Sequence, residues 1–205
     1  MGAGKVVAVS SIVFALIFGS TMLLGSAKAA CPPDACAVTT DQLALAQELV
    51  TANQQGRLRF LETRYLQQVV DIAAGRTVPH CGIDVRVLQL MVIAVRTYES
   101  VGVSDLNRMC TGDTIADGGH FRDIATAVDF YAFNGRPTTG ADANALKFLA
   151  LLDPIVPPGA RAGQSQCRNG AETRVTFANF TDFPDTCNHL HLDFAKTDRP
   201  LLIGN

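Results

Sequence analysis

Apolar residues recur at helical intervals along the first half of the chain. The stretch TTDQLALAQELV, which begins at Thr39, repeats them on one helix face, and Thr39 and Gln42 have the spacing of a capping box. A second helix is predicted over about Leu61 to Ala74, where Gly75 supplies a stop. A third helix begins at Asp84 and is apolar over most of its circumference, which favours burial against a sheet.

The pattern changes after Gly102, where shorter apolar runs alternate with loops. The runs VGVSDL, AVDFYAF (127–133), TRVTFANF and HLHLDF are predicted to be an interrupted set of strands, and CTGDTIADGG is predicted to be a loop. One more helix is predicted from about Ala141 to Leu152. Helices followed by strands predict an α+β fold, in which helices pack on a small antiparallel sheet. We expect an N-terminal helical segment over 31–78 and an α+β domain over 79–205.

The first 29 residues differ in composition from the rest. Lys5 is followed by an apolar run from Val6 to Gly25 and then by the small-residue site Ala27-Lys28-Ala29, so residues 1–29 are predicted to be a signal peptide. The run also approaches the roughly 20 apolar residues of a membrane span, so an uncleaved anchor remains the alternative. In both cases the rest of the chain is expected outside the cytoplasmic membrane, secreted or in the cell envelope, with membrane contact only through this segment.

Beyond residue 29 the chain is acidic and contains every cysteine. Residues 1–29 hold two of the 17 Lys and Arg residues and none of the 19 acidic residues, which leaves a formal charge of −4. This charge argues against nucleic-acid binding, and no basic amphipathic helix indicates membrane-surface binding. Six cysteines in an exported chain indicate three disulfides. Among several possible pairings we expect Cys31–Cys36, Cys81–Cys110 and Cys167–Cys187.

Two of the four histidines lie one residue apart in CNHLHLDF. On a strand, His189 and His191 point to one face and the two leucines point to the other. Asp129 stands in the middle of an apolar strand, where a carboxylate is costly to bury unless it is paired or binds a metal. His120, Asp129 and one histidine of the pair would supply the three ligands of a catalytic zinc site. The other histidine would then act beside the attacking water as a general base.

These residues carry a resemblance to a known family. The order His, then A-x-D, then H-x-H in GGHFRDIATAVDF and FTDFPDTCNHLHLDF is similar to that of zinc metallopeptidases. This group includes lysostaphin-type endopeptidases, D-Ala-D-Ala carboxypeptidases and the hedgehog domain, and the chain is most similar to the carboxypeptidases. The resemblance covers roughly residues 80–195. It implies Zn²⁺ held by His120, Asp129 and His191, His189 as the catalytic histidine, and hydrolysis of amide bonds in peptidoglycan peptides by metal-activated water.

The chain departs from the family motif in the first half of the site. Gly118 stands where the motif has serine, Ala125 replaces the motif glycine, and the interval from His120 to Asp129 is two residues longer. A bulge could absorb the extra residues, or they could spoil the geometry of the ligands. A non-catalytic wall-binding or structural relative with the same fold is therefore the alternative function.

Substrate-binding residues are less clearly indicated. The family often uses an arginine upstream of the first ligand to bind the terminal carboxylate of the substrate, which makes Arg108 and Arg122 candidates. Each is otherwise a solvated surface arginine. Asp113, in the loop before His120, is a candidate partner for a ligand imidazole, or else a turn residue. His80 lies outside this set. The choice between carboxypeptidase and endopeptidase action, and the oligomeric state, stay open.

Overall fold

The structure is a computed structural model that describes residues 1–2, 31–114, 118–170 and 173–203. The predicted export segment, apart from Met1 and Gly2, lies outside the described residues. The helices are α1 (Pro33–Cys36), α2 (Gln42–Gln54), α3 (Thr63–Ala73), α4 (Val85–Thr97), α5 (Arg108–Thr111), α6 (Ala143–Leu152) and the 3-10 helix η1 (Ser165–Arg168). The strands are β1 (Leu58–Phe60), β2 (Gly82–Ile83), β3 (Val101–Asp105), β4 (Ile124–Ala125), β5 (Ala127–Phe133), β6 (Arg136–Pro137), β7 (Arg161–Ala162), β8 (Thr181–Asp182) and β9 (Leu190–Asp193).

Aspartate side chains cap the N-termini of α2, α4 and α6. Asp41, Asp84 and Asp142 precede α2, α4 and α6, and each accepts a hydrogen bond from a backbone N–H of the first turn. The capping box predicted at Thr39 is wrong, because Asp41 takes that role and Thr39 Oγ1 accepts from the Asp41 N–H instead. The third predicted helix, α4, is buried from Arg86 to Val95, and α1 and α2 pack against it.

The strands form a mixed sheet in the order β1-β3-β5-β9-β7-β8, and β6 pairs with β5. The central pairs are antiparallel as predicted: β5 with β3, β5 with β9, and β7 with β9. At the two edges β1 and β8 pair in parallel with β3 and β7. A separate small sheet joins β2 to β4. The α+β fold expected from the sequence is confirmed.

Among the segments that differ from the sequence predictions are β1 and the run TRVTFANF. The strand β1 was not predicted, because three residues are too few for a periodic pattern, and it forms by pairing with β3. The run TRVTFANF contains no strand, since β8 begins only at Thr181. The backbone N–H groups of residues 178–180 donate instead to the carboxylate of Asp153, at 2.8–3.0 Å. These N–H groups therefore donate to the side chain of Asp153, whereas in a strand they would donate to the carbonyl groups of a neighbouring strand.

Aromatic side chains form the centre of the hydrophobic core. Tyr98, Phe130, Phe133 and Phe148 pack with ring centroids 4.7–5.8 Å apart. The leucines of β9 join the same core, as the alternation in HLHLDF predicts. The core also includes residues of α1, α2 and α3. The N-terminal helices therefore pack on the same core as the sheet.

Three disulfides join the cysteines in the expected pairs, Cys31–Cys36, Cys81–Cys110 and Cys167–Cys187. The second fastens α5 to the residue before β2, and the third fastens η1 to the turn before β9. Disulfides of this kind are compatible with an extracellular protein. Across the described ranges, none of the helices combines the length and the apolar character needed to cross a membrane.

Candidate metal centre

Three neighbouring strands place ionisable side chains in one row across the sheet. Asp129 of β5 lies opposite His191 of β9, and Asp105 of β3 lies opposite Asp129 on the other side. The register of β3 and β5 shifts just before Asp105, and such bulges commonly re-aim a side chain near a site. Because the leucines of β9 point into the core, His191 lies on the opposite face.

His120 approaches this row from the loop between α5 and β4. Its backbone carbonyl accepts from the Arg108 N–H at 3.0 Å, and the preceding residue, Gly119, packs on β5. A Cβ at Gly119 would lie 2.6 Å from the Cβ of Ala127. After His120 the chain leaves the row to form β4 beside β2 and then returns as β5. This excursion takes up the long interval between His120 and Asp129 without separating their side chains.

The side chains of His120, Asp129 and His191 converge at one point. Asp129 Oδ1 lies 3.2 Å from His120 Nε2 and 2.9 Å from His191 Nδ1, and the two nitrogens are 3.4 Å apart. Ligand atoms about 2.0–2.1 Å from a tetrahedral ion lie about 3.3 Å from one another, so these separations fit one ion. Asp129 Oδ1 is buried and has no hydrogen-bond partner among the described residues. The group could therefore bind a metal ion.

In both His120 and His191, the ring nitrogen that points away from Asp129 has its own acceptor. His120 Nδ1 donates to the Leu106 carbonyl at 2.6 Å, and His191 Nε2 donates to Asp193 Oδ2 at 3.0 Å. In the neutral imidazoles, which are the forms that bind a metal, His120 Nε2 and His191 Nδ1 would therefore carry the lone pairs, and both nitrogens face Asp129. Metal-binding histidines are oriented in this way by carboxylates and carbonyls behind them.

The charges of the cluster depend strongly on burial and on the carboxylates. Burial by itself would lower the pKa of His191, but Asp129 and Asp193 outweigh it and raise that pKa to about 10. Burial would likewise lower the pKa of His120, but the nearby Asp129 carboxylate outweighs burial and raises it. Burial would raise the pKa of Asp129, yet the two histidines hold it well below its usual range. Asp129 is therefore ionised, the form in which a carboxylate binds a metal.

A cavity of about 450 Å³ opens beside the cluster and is lined by Asp129 and His191. His189 lies in its wall, with Nε2 3.6 Å from Asp129 Oδ1 and 3.2 Å from Asp185 Oδ2. Arg108 also lines the cavity, and its guanidinium pairs with Asp105 and lies 3.9 Å from Asp129 Oδ2. An imidazole and a guanidinium thus face the same space as the cluster.

The other candidates from the sequence are placed differently. Neither Arg122 nor Asp113 is among the described residues that line the cavity. Arg122 is exposed and donates to the Gly118 carbonyl at 2.5 Å. Asp113 is half-buried after α5, where its N–H donates to the Arg108 carbonyl. His80 is exposed and pairs with Asp123, outside the cluster, as the sequence indicated.

Sequence reasoning missed the residues that support the cluster. Asp193 had a signal, because it follows His191 by two residues and so shares its strand face. Arg161, which holds Asp193 through contacts of 2.8 and 3.0 Å, had none. Gln164 and Asp185 lie in irregular segments, and only the fold brings them to His189, where Gln164 Nε2 lies 3.1 Å from His189 Nε2.

A second group of possible ligands, Asp185, His189 and His191, lies next to the first. It shares His191, whose Nε2 is bonded to Asp193, so only Nδ1 is left for a metal. One nitrogen lone pair can bind one ion, and the two groups are alternatives for a single metal.

No protein-family model matches the chain, and no curated protein or solved structure is similar enough to it to count as a match. The resemblance to zinc peptidases therefore depends on the residues of the site alone.

Proposed function

We propose that the chain is a secreted zinc-dependent peptidase that hydrolyses amide bonds in peptidoglycan peptides, in the manner of D-Ala-D-Ala carboxypeptidases. The observation that carries the proposal is the convergence of His120, Asp129 and His191 beside a cavity whose wall contains His189. Two imidazoles and one carboxylate form a ligand set typical of catalytic zinc, which keeps one position for water.

Zinc suits these ligands better than magnesium or calcium does. Two of the three ligand atoms are imidazole nitrogens, whereas the hard cations prefer oxygen. When bound, zinc would supply polarisation of the scissile carbonyl and activation of the attacking water. The chain supplies the rest: Asp129 contributes negative charge, and Leu106 and Asp193 hold the ligand imidazoles in the binding tautomer.

His189 is the proposed proton carrier. Its Nε2 faces the cluster across 3.6 Å to Asp129 Oδ1, and its side chain is 14 % exposed to the cavity. From this position Nε2 would take a proton from the attacking water and then deliver it to the leaving amine. His189 therefore acts without being a ligand itself.

Arg108 is the proposed site for a carboxylate of the substrate. Its guanidinium is held by Asp105 and lines the cavity that also contains His189. A guanidinium fixed in this way recognises a carboxylate through two parallel hydrogen bonds. Peptidoglycan stem peptides end in a carboxylate, which supports the carboxypeptidase form of the proposal.

The compartment in which peptidoglycan lies agrees with the predicted signal segment and with the disulfides of the chain. The predicted signal segment and the three disulfides favour an extracytoplasmic protein, and peptidoglycan lies in that compartment.

The test is hydrolysis of defined wall peptides. Zinc-loaded full chain is incubated with purified peptidoglycan and with soluble muropeptides, and the products are identified by mass spectrometry. We expect release of the terminal residue or opening of a peptide crosslink. His189→Ala should abolish product formation and keep zinc, whereas the exposed His80→Asn should retain activity. A zinc-loaded protein that releases nothing from several wall chemotypes would contradict the proposal and favour the non-catalytic alternative.

A further inference from the structure

Gln164 is a buried polar residue in an unfavourable backbone conformation next to His189. It is fully buried, and its φ of +68° lies in the left-handed region that side-chain-bearing residues seldom adopt. Gly140 packs against it so closely that a Cβ there would lie 2.7 Å from the Cβ of Gln164. Backbone strain of this kind persists where the surroundings fix it, and it is frequent at functional sites.

The hydrogen bonds of the Gln164 amide determine its orientation. Its Oε1 accepts from the backbone N–H of His191 at 3.1 Å. Its Nε2 lies 3.1 Å from His189 Nε2 and 3.3 Å from Asp185 Oδ2. A backbone N–H can only donate, so the amide oxygen must face His191 and the amide NH₂ must face the other two. The reverse orientation would set donor against donor and oxygen against carboxylate.

This orientation determines which nitrogen of His189 carries the proton. Because the Gln164 NH₂ donates to His189 Nε2, that nitrogen must present a lone pair, and in a neutral imidazole the proton is then on Nδ1. Nδ1 has a matching acceptor in Asn188 Oδ1 at 2.8 Å. Asp185 Oδ2 also lies 3.2 Å from His189 Nε2, and it accepts from the same Gln164 NH₂ at 3.3 Å.

We infer that Gln164 is a positioning residue that holds His189 in the tautomer whose Nε2 lone pair faces the metal cluster. Its value for catalysis rests on the proposed function, whereas the tautomer is a property of the chain alone. A water O–H in the cavity would donate to the same lone pair and so replace the Gln164 N–H. Gln164 therefore keeps His189 ready to accept a proton, and its bond to the His191 backbone fixes the distance to the ligand strand.

The tautomer can be measured without any activity. Long-range ¹⁵N–¹H correlation spectra of the full chain, metal-free and zinc-titrated, are recorded at about pH 8. His189→Asn assigns the signals. We expect a protonated Nδ1 and an unprotonated Nε2 in His189. A proton on Nε2 would overturn the inference, and this readout needs no folded Gln164 variant.

A near-isosteric substitution tests the role of the amide. Gln164→Met keeps the side-chain length and removes all three hydrogen bonds of the amide, so we expect a mixture of His189 tautomers. The matched control is Gln89→Met, because Gln89 is also buried but donates to the Thr39 carbonyl. The control should leave the His189 signals unchanged. A single unchanged tautomer in Gln164→Met would overturn the inference.

Kinetics separates this inference from the proposed function. With muropeptide substrate, Gln164→Met should lower kcat by about 10–100-fold, the usual effect of an outer partner, with KM and zinc content near the original values. An unchanged kcat would overturn the positioning role. The expected tautomer in a protein that hydrolyses nothing would contradict the proposed function and support the inference. Hydrolysis by a protein in which His189 carries its proton on Nε2 would support the proposed function and contradict the inference about Gln164.

Discussion

Replacing Asp193 with asparagine should weaken zinc binding although Asp193 is not a ligand. Its carboxylate contacts four nitrogen donors: His191 Nε2 at 3.0 Å, Arg161 Nε and Nη2 at 3.0 and 2.8 Å, and the Ala195 N–H at 2.8 Å. Asparagine keeps one acceptor oxygen and turns the other into a donor. In either orientation of the amide, two of the four donors lose their acceptor.

The expected magnitude follows from the position of Asp193 behind His191. In one amide orientation the new NH₂ faces His191 Nε2, which moves the histidine proton to Nδ1, the nitrogen that faces Asp129. Asp193 is 1 % exposed, so water cannot replace the lost acceptor. Loss of such a partner costs about 10–100-fold in metal affinity. At about 1.4 kcal/mol per factor of ten, this corresponds to about 1.4–2.8 kcal/mol.

The assay is a competition for zinc between the protein and a chromophoric chelator. Asp153→Asn is the matched control, because Asp153 is also buried but its carboxylate accepts from the backbone N–H groups of residues 178–180, which do not belong to the cluster. We expect the control to lower the thermal unfolding midpoint and to leave the zinc Kd unchanged. Zinc affinity of Asp193→Asn equal to that of the original chain, or an equal loss in the control, would refute the reasoning.

Other substitutions test the packing and the bracing of the site. Gly119→Ala should lower the free energy of unfolding by about 1–3 kcal/mol, because its Cβ would meet Ala127. Gly118→Ala is the control, because a Cβ at Gly118 would lie 3.9 Å from the nearest atom. Equal losses of unfolding free energy in the two variants, measured by denaturant titration, would contradict this prediction. Removing the Cys167–Cys187 disulfide, which closes a 20-residue separation, should cost about 3 kcal/mol and reduce hydrolysis more than zinc content. Equal losses of hydrolysis and of zinc content would contradict the idea that this disulfide holds His189 in position. Chelation of zinc should lower the thermal unfolding midpoint. Zinc added back at about 100 times its Kd should raise the free energy of unfolding by about 2.7 kcal/mol. An unfolding midpoint that does not change with zinc would contradict the metal site.

The sequence was sufficient for features that depend on local alternation. Leu190 and Leu192 fall on one face of β9 and His191 on the other, because strand periodicity allows no other arrangement once the leucines enter the core. Asp129 was identifiable because a carboxylate in an apolar strand needs a partner. The same periodicity would have identified Asp193. The outcome for the long interval between His120 and Asp129 was open, since it depends on the pairing of β4 with β2.

Features that depend on distant segments could not be predicted. The run TRVTFANF has the composition of a strand, yet the carboxylate of Asp153 takes its backbone donors. Gln164 has an ordinary side chain in a loop, and only the approach of β9 and of the segment with Asp185 makes it a neighbour of His189. In both cases the decisive partner lies more than twenty residues away, beyond the reach of any periodic pattern.

The most direct test of the metal centre is anomalous diffraction from crystals of the zinc-loaded full chain, measured on both sides of the zinc absorption edge. We expect one zinc peak within about 2.0–2.2 Å of His120 Nε2, His191 Nδ1 and a carboxylate oxygen of Asp129. The absence of a peak there in zinc-loaded protein, or a peak held by Asp185 and His189 instead, would contradict the proposed centre.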